Sequence, residues 1–116
     1  MEIRILRDSE RIEALQLARE VFLGFEAPEY SEEGVREFLG YLDREARIHS
    51  LQMFGAFLRG GLAGMLAMAP NGHISLFFVA ERFHRQGIGR ALFQAVLNEY
   101  AGQRLTVHSS PYAVPV

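Results

Sequence analysis

The sequence contains no cysteine and no lysine. Without cysteine the chain can form neither a disulfide nor a thiolate metal site, and a cysteine acyl-enzyme is excluded. Without lysine it cannot carry a P-loop, whose lysine binds the phosphates of a nucleotide. Its four histidines include no closely spaced pair, so the pattern indicates no metal site. The sequence therefore predicts neither thiol, P-loop nor metal chemistry.

Long apolar runs are also missing. No stretch approaches the roughly 20 residues of a membrane span, and the N-terminal residues lack the apolar segment of a signal peptide. We therefore expect a cytoplasmic protein with no membrane partner. The chain has 116 residues, of which 49% are hydrophobic, and this suits a single domain over residues 1–116.

Positive charge is scarce in the first part of the chain. The net charge of −2 argues against a nucleic-acid surface. Residues 1–50 hold 12 acidic residues and 7 arginines, whereas residues 51–116 hold 2 acidic residues and 5 arginines. An acidic half would attract a cationic amine substrate. Ordinary solvated helix faces would give the same composition, so both interpretations stay open.

Residues 73–101 form the most informative stretch. The mostly apolar residues 73–79 predict a buried strand, and residues 80–86 are expected to form a loop. Apolar positions at a 3.6-residue spacing then predict a helix over residues 87–101. A glycine turn before a helix binds anions through unpaired backbone N–H groups, and Arg82, Arg85 and Arg90 would add positive charge. The alternative is a helix that merely begins at a tight turn. A dinucleotide fingerprint is excluded, because Leu92 stands where glycine or alanine is required.

The remaining segments predict an α+β layer sandwich. We expect a strand over residues 2–7, then a helix that is capped by Asp8 or Ser9 and ends before Pro28. A second helix, capped by Ser31, ends near Arg47. Strands over residues 51–58 and 62–69 form an antiparallel meander with the strand over 73–79, and a short fifth strand over 105–108 returns parallel. The first helix has its predicted apolar face at Leu15, Ala18, Phe22 and Phe25.

The loop resembles a known cofactor signature. His84-Arg85-Gln86-Gly87-Ile88-Gly89 is similar to the Arg/Gln-x-x-Gly-x-Gly/Ala acetyl-CoA motif of the GNAT superfamily of N-acetyltransferases. The flanking HISLFFV and RALF resemble that family's fourth strand and third helix. The resemblance implies a mixed sheet with strands 1–4 antiparallel, a parallel fifth strand and helices on both faces. It implies acetyl-CoA as cofactor, contacted by Phe78, Val79, His84, Arg85, Gln86, Gly87, Ile88, Gly89, Arg90 and His108. His84 departs from the usual Arg or Gln.

The resemblance also implies the reaction, which is direct attack of an amine of a small molecule or protein on the acetyl-CoA thioester. A backbone N–H near Val79 would polarise the thioester carbonyl. The base stays open between His73 and Glu26, and strand alternation puts His73 and Ser75 on the face of Phe77 and Val79. VFLGFEAPEYSEEG resembles the family's acceptor wall. The substrate-side candidates are Phe25, Glu26, Tyr30 and Ser75.

The C-terminal residues VHSSPYAVPV resemble the end of the family's fifth strand and the start of its fourth helix. Family members continue through that helix and two more strands, so the resemblance implies a C-terminally truncated domain. The usual catalytic acid is a tyrosine, and Tyr112 is the candidate, although it comes about one turn too early. We expect a homodimer that covers the fifth-strand edge. The alternative to a homodimer is a fragment of a longer protein. The alternative to an enzyme is a non-catalytic CoA-binding module or a fragment that lacks the catalytic acid.

Overall fold

The computed structural model describes residues 1–107 of the chain. Five strands form one sheet, in the order in which they occur along the chain. Strands β1 to β4 pair antiparallel, and β5 pairs parallel to β4. The predicted mixed sheet of an α+β fold is confirmed. The strands are β1 Glu2–Ile5, β2 Gln52–Leu58, β3 Gly61–Met68, β4 His73–Val79 and β5 Thr106–Val107.

Three α-helices cover the sheet: α1 Arg11–Val21, α2 Glu32–Ile48 and α3 Ile88–Glu99. The predicted cap of α2 is confirmed, because the hydroxyl of Ser31 accepts a hydrogen bond of 3.0 Å from the backbone N–H of Gly34. Within residues 1–107, no helix combines the length and apolarity that crossing a bilayer requires.

The predicted cap of α1 is wrong. Asp8–Glu10 form a single 3₁₀ turn, and α1 begins only after it. The carboxylate of Glu10 accepts from the backbone N–H of Arg7 at 2.8 Å and so closes the 3₁₀ turn, whereas no side chain caps α1 itself.

Two apolar clusters lie on opposite faces of the sheet. Under α1 and α2, the ring of Phe38 stacks on Phe22 at 4.0 Å and meets Phe78 edge-on at 5.9 Å. We call this the α1/α2 core. On the other face α3 forms the α3 core with β2, β3 and β4. A Cβ on Gly64 would lie 3.1 Å from both Ile88 and Leu92, so this glycine of β3 allows α3 to pack closely.

Strand β4 carries a bulge. Ala67 of β3 pairs with Leu76 and Met68 pairs with Ile74, which leaves Ser75 without a register partner in β3. An extra residue interrupts the two-residue alternation of side chains. Consequently Ile74 lies in the α3 core whereas Leu76 lies in the α1/α2 core, although the two are two residues apart.

Candidate active site

The loop between β4 and α3 reaches the helix through left-handed backbone conformations. After the 3₁₀ turn Glu81–Phe83, His84 is extended, Arg85 has a φ of 65° and Gly87 a φ of 79°. Gly87 holds the N-cap position of α3, and a Cβ on it would meet no atom within 4 Å. The positive φ therefore explains why position 87 holds glycine, and the space above this residue is open to a ligand.

The N-terminus of α3 has several features that favour an anion. No side chain caps it and its first turn holds no acidic residue. Helix α2 differs on both counts, since Ser31 caps it and Glu32 and Glu33 lie in its first turn. The first N–H groups of α3 thus have neither a capping side chain nor an intrahelical partner, and the helix dipole is positive there. Such a helix start, which we call the cradle, favours a phosphate group.

The loop is held in shape by its own hydrogen bonds. The backbone N–H of Phe83 donates to the carbonyl of Ala80 at 2.9 Å, and that of His84 donates to Glu81 at 3.0 Å. The side-chain amide of Gln86 donates to the carbonyl of Arg82 at 3.4 Å. These three hydrogen bonds stabilise the loop, and the side chains of Arg85 and Arg90 remain exposed beside it.

The backbone N–H of Val79 faces away from β3. The N–H of Ala80 bonds the carbonyl of Ala63 at 2.8 Å, which makes these two residues a hydrogen-bonded pair. Hydrogen-bonded and non-bonded pairs alternate in an antiparallel ladder, so the neighbouring pair of Val79 and Gly64 is of the non-bonded kind. The N–H of Val79 therefore faces the β5 side of β4. Phe78 differs, because its side chain is buried in the α1/α2 core.

The segment that the resemblance assigns to the acceptor begins with a turn of π-helix, Phe22–Glu26, which continues α1. The N–H of Ala27 bonds the carbonyl of Phe22, five residues back. This wider turn shifts Phe25 off the apolar face that a regular helix predicts. Its ring is 46% exposed and lies 5.5 Å from the ring of His84. The prediction that Phe25 shares the buried face of Leu15 and Ala18 is therefore wrong.

Glu26 and Tyr30, both named from the sequence, have different surroundings. Glu26 is half-buried, and this burial raises the pKa of its carboxyl above the ordinary 4.5. Tyr30 is half-buried too, but its ring packs edge-on against Phe22 at 5.1 Å. Tyr30 thus supports the α1/α2 core, whereas Glu26 is a partly desolvated acid next to the exposed Phe25.

An open cleft of about 420 Å³ lies between α1 and the loop. Sequence reasoning missed its carboxylates, Glu13, Glu20 and Glu81, although Glu13 and Glu20 are seven residues apart and share a helix face. Among residues 1–107, no three acidic or imidazole side chains are grouped as a metal ion requires. The apolar part of the cleft is lined by Leu17, Val21, Phe25, Leu62 and Ala80.

His73 lies at the opposite end of β4 from the loop, and its Nδ1 is 2.9 Å from the hydroxyl of Thr106. Because of the bulge, Ile74 shares the α3 core with Phe77 and Val79, and its neighbour His73 is directed to the other side. The prediction that His73 shares the face of Phe77 and Val79 is wrong for this reason. Ser75 is half-buried within the bulge. His108 and Tyr112 lie outside the described residues.

Solved structures share this fold. A GCN5-related N-acetyltransferase of Rhodopseudomonas palustris, also described as a class-II aminotransferase, superposes with a TM-score of 0.79 at 24% identity, over 97% of this chain and 74% of that one. A ribosomal-protein-alanine N-acetyltransferase of Brucella melitensis superposes with a TM-score of 0.66 at 16% identity, over 97% of this chain and 83% of that one. AAC(6')-Iy, in complex with the bisubstrate analogue CoA-S-monomethyl-acetylneamine, superposes with a TM-score of 0.64 at 17% identity, over 96% of this chain and 80% of that one.

These identities establish the fold alone. A comparison with curated protein sequences found no match. The family model described as an acetyltransferase (GNAT) domain matches residues 26–116, a range that includes the loop, the cradle and α3. The chain therefore belongs to the GNAT acetyltransferase family, and it is an acyltransferase.

Proposed function

We propose that this protein is an acetyl-CoA-dependent N-acetyltransferase that acts on a cationic amine of a small molecule or a protein. The observation that carries the proposal is the uncapped N-terminus of α3, entered through the left-handed Gly87. A helix start suits a pyrophosphate when no side chain caps it, no acidic residue lies in its first turn and the N-cap residue has no Cβ. When bound, acetyl-CoA would supply an activated acetyl group as a thioester.

The cofactor side of the site has two tasks. The first N–H groups of α3, at Ile88, Gly89 and Arg90, would hold the pyrophosphate, and the exposed guanidinium groups of Arg85 and Arg90 would add charge. The N–H of Val79 faces away from β3, so we assign it the role of donor to a carbonyl oxygen at this edge. A fixed donor aimed at developing negative charge lowers the barrier for acyl transfer.

The acceptor side is assigned to the cleft between α1 and the loop. Its three carboxylates, Glu13, Glu20 and Glu81, outnumber the one guanidinium that lines it, that of Arg82, so the cleft favours an ammonium-bearing substrate. The cleft also lies beside the loop that we assign to the cofactor. The aminoglycoside N-acetyltransferase AAC(6')-Iy, which shares this fold, binds a CoA-linked acetylneamine. We infer that the substrate here is an amine with more than one positive charge, because three carboxylates line the cleft.

We assign proton removal to Glu26. Its raised pKa brings the carboxyl closer to the working range of a general base, and its neighbour Phe25 lines the cleft and contacts the loop. His73 remains the rival, but Val79 lies six positions further along β4, a distance of roughly 20 Å at about 3.3 Å per residue. His108 and Tyr112 keep the roles that the resemblance implies, a cofactor contact and the acid.

The cofactor site is tested with Gly87→Glu, which places a side chain and a like charge on the cradle. We expect CoA affinity, measured by calorimetry, to fall at least about 100-fold, since two or more charge-assisted hydrogen bonds would be lost. Gly60→Glu is the matched control, because Gly60 has a φ of 82° and equally open space, but lies in the β2–β3 turn. Unchanged CoA affinity in folded Gly87→Glu would contradict the site.

Acetyl transfer is measured with acetyl-CoA and three acceptor probes: neamine, spermidine and a peptide with N-terminal alanine. The chain has no lysine, so no side-chain amine of its own consumes acetyl-CoA. Thiol release that exceeds the release without acceptor therefore reports transfer to the probe. CoA binding without transfer to any amine would favour a non-catalytic CoA-binding module.

We also propose that two copies associate through β5. This strand lies at the end of the sheet within residues 1–107, and Val107 is 59% exposed. Exposed strands at sheet ends pair readily with a second chain.

A further inference from the structure

One side chain joins the cofactor loop to the acceptor-side segment. His84 belongs to the loop, and its Nε2 lies 2.8 Å from the carbonyl oxygen of Val79, the last residue of β4. The other contact of the same ring is with Phe25 of the π-turn, at 5.5 Å between centroids and 47° between planes. Three separate segments of the chain thus meet at this imidazole.

The two contacts of His84 differ in chemistry. A carbonyl oxygen can only accept, so Nε2 of His84 carries the proton and donates to Val79. The contact with Phe25 is a tilted aromatic pair, which depends on the ring and not on the donor. The hydrogen bond ties His84 to β4, and the ring contact ties it to the π-turn.

The π-turn has few other restraints on its exposed side. Phe25 is 46% exposed, Leu23 is 41% exposed, and a Cβ on Gly24 would meet no atom within 4 Å. A π-turn is also less regular than the α-helix that precedes it and occurs often at functional sites. The order of Phe25 and its neighbour Glu26 therefore depends on what the ring of Phe25 packs against.

We propose that His84 is a positioning residue that transmits occupation of the cofactor loop to the π-turn. A ligand at the N–H groups of α3 restricts the loop, the loop restricts the ring of His84, and that ring restricts Phe25. Glu26 and the wall of the cleft are then ordered before the amine arrives, so the amine meets a lower ordering cost. This inference rests on the proposed function, because it assumes that CoA binds the loop.

Hydrogen exchange with CoA alone tests the inference without knowledge of the acceptor. In the unaltered protein, CoA should slow amide exchange at residues 87–91 through direct contact. It should also slow exchange at residues 22–27 by about 2- to 10-fold, the range that one aromatic pair supports.

Two substitutions separate the two contacts of His84. His84→Gln keeps an amide donor for the carbonyl of Val79 but removes the ring, so protection of residues 22–27 should disappear while that of residues 87–91 persists. His84→Phe keeps a ring against Phe25 without the donor and should restore the protection of residues 22–27. His49→Gln is the control, because Nε2 of His49 also lies 2.8 Å from a backbone carbonyl, that of Ala46, at the end of α2.

The outcomes are distinguishable. Protection of residues 87–91 without protection of residues 22–27 in the unaltered protein would overturn the inference and leave the cofactor site intact. Protection of residues 22–27 that persists in His84→Gln would also overturn it, because CoA would then act on the π-turn directly. If CoA protects neither segment, the inference and the proposed cofactor site fall together.

Discussion

Two glutamates near α1 have pKa values that are shifted in opposite directions by their surroundings. The pKa of Glu10 is lowered to about 2, chiefly because its carboxylate accepts hydrogen bonds from the guanidinium of Arg4 and the backbone N–H of Arg7. The pKa of Glu26 is raised by burial, and within residues 1–107 no basic side chain forms an ion pair with it. Of the two, only Glu26 suits proton removal from an ammonium group.

The sign of the shift at Glu26 gives a pH prediction. A base must be ionised, so kcat/KM should rise with pH through an inflection above the ordinary 4.5 of a glutamate. A raised pKa in the folded state favours the neutral form. The contribution of Glu26 to the free energy of unfolding is therefore fully present below the pKa that Glu26 has in the unfolded chain. This contribution is lost as pH rises through the pKa of Glu26 in the folded protein. At pH 7 the free energy of unfolding of Glu26→Gln should consequently equal that of the unaltered protein or be slightly higher.

The same substitution should lower the acetyl-transfer rate by roughly 10²- to 10⁴-fold while CoA affinity holds. His73→Gln is the comparison, and we expect it to keep the rate. A full rate in Glu26→Gln across pH 6 to 9 would remove Glu26 from the mechanism. Loss of rate in His73→Gln alone would assign the base to His73.

At the scale of elements, a buried ion pair fixes α1 against α2. The guanidinium of Arg11 lies 3.1 Å from the carboxylate of Glu45, and their side chains are only 7% and 3% exposed. Glu45 also accepts from the hydroxyl of Ser50 and the backbone N–H of Leu51, both at 2.7 Å. The π-turn with Phe25 and Glu26 continues α1 from its other end.

Removal of one partner of this ion pair should be costly. Glu45→Gln keeps the size of the side chain but leaves a buried guanidinium without its counter-charge, and we expect a loss of roughly 3–5 kcal/mol of unfolding free energy. Denaturant unfolding measures it. Nε of Arg11 already finds no hydrogen-bond partner among residues 1–107. Arg11→Met combined with Glu45→Gln should therefore be more stable than Glu45→Gln, and a double variant that is less stable would contradict this account.

At the scale of the whole molecule, the sheet separates the two parts of the proposed site. The face covered by α1 and α2 carries the acidic side of the cleft, and the face covered by α3 carries the uncapped helix start that we assign to the pyrophosphate. The acidic excess lies in residues 1–50, which include α1 and α2, and the basic excess lies in residues 51–116, which include α3 but also Glu81 of the cleft. An amine and a pyrophosphate would thus be attracted to different parts of the molecule that meet at the loop.

The proposed dimer is a prediction at this scale. Size exclusion with light scattering at low micromolar concentration should give twice the chain mass of 13.1 kDa. Val107→Lys should return the monomer, because a charge at the strand disfavours edge pairing. Ile48→Lys is the control, since Ile48 is 65% exposed on α2, away from β5. A stable 13.1 kDa species for the unaltered chain would refute the association.

Local patterns in the sequence determined much of the fold. The bounds of β4 were predicted residue for residue, because an apolar run between turn residues needs no distant partner to be recognised. The Ser31 cap of α2 was also predicted, since its hydrogen bond spans only three residues. The glycine turn before α3 pointed to an anion site for the same reason, as its geometry depends on φ at Gly87.

Contacts between distant segments decided the rest. The bulge at Ser75 depends on pairing with β3 and changes which face His73 occupies. The exposure of Phe25, its contact with His84 and the meeting of Glu13, Glu20 and Glu81 in one cleft depend on how α1 lies against the loop. A sequence pattern reports propensities over a few residues, whereas these features follow from packing free energy shared among residues far apart in the chain.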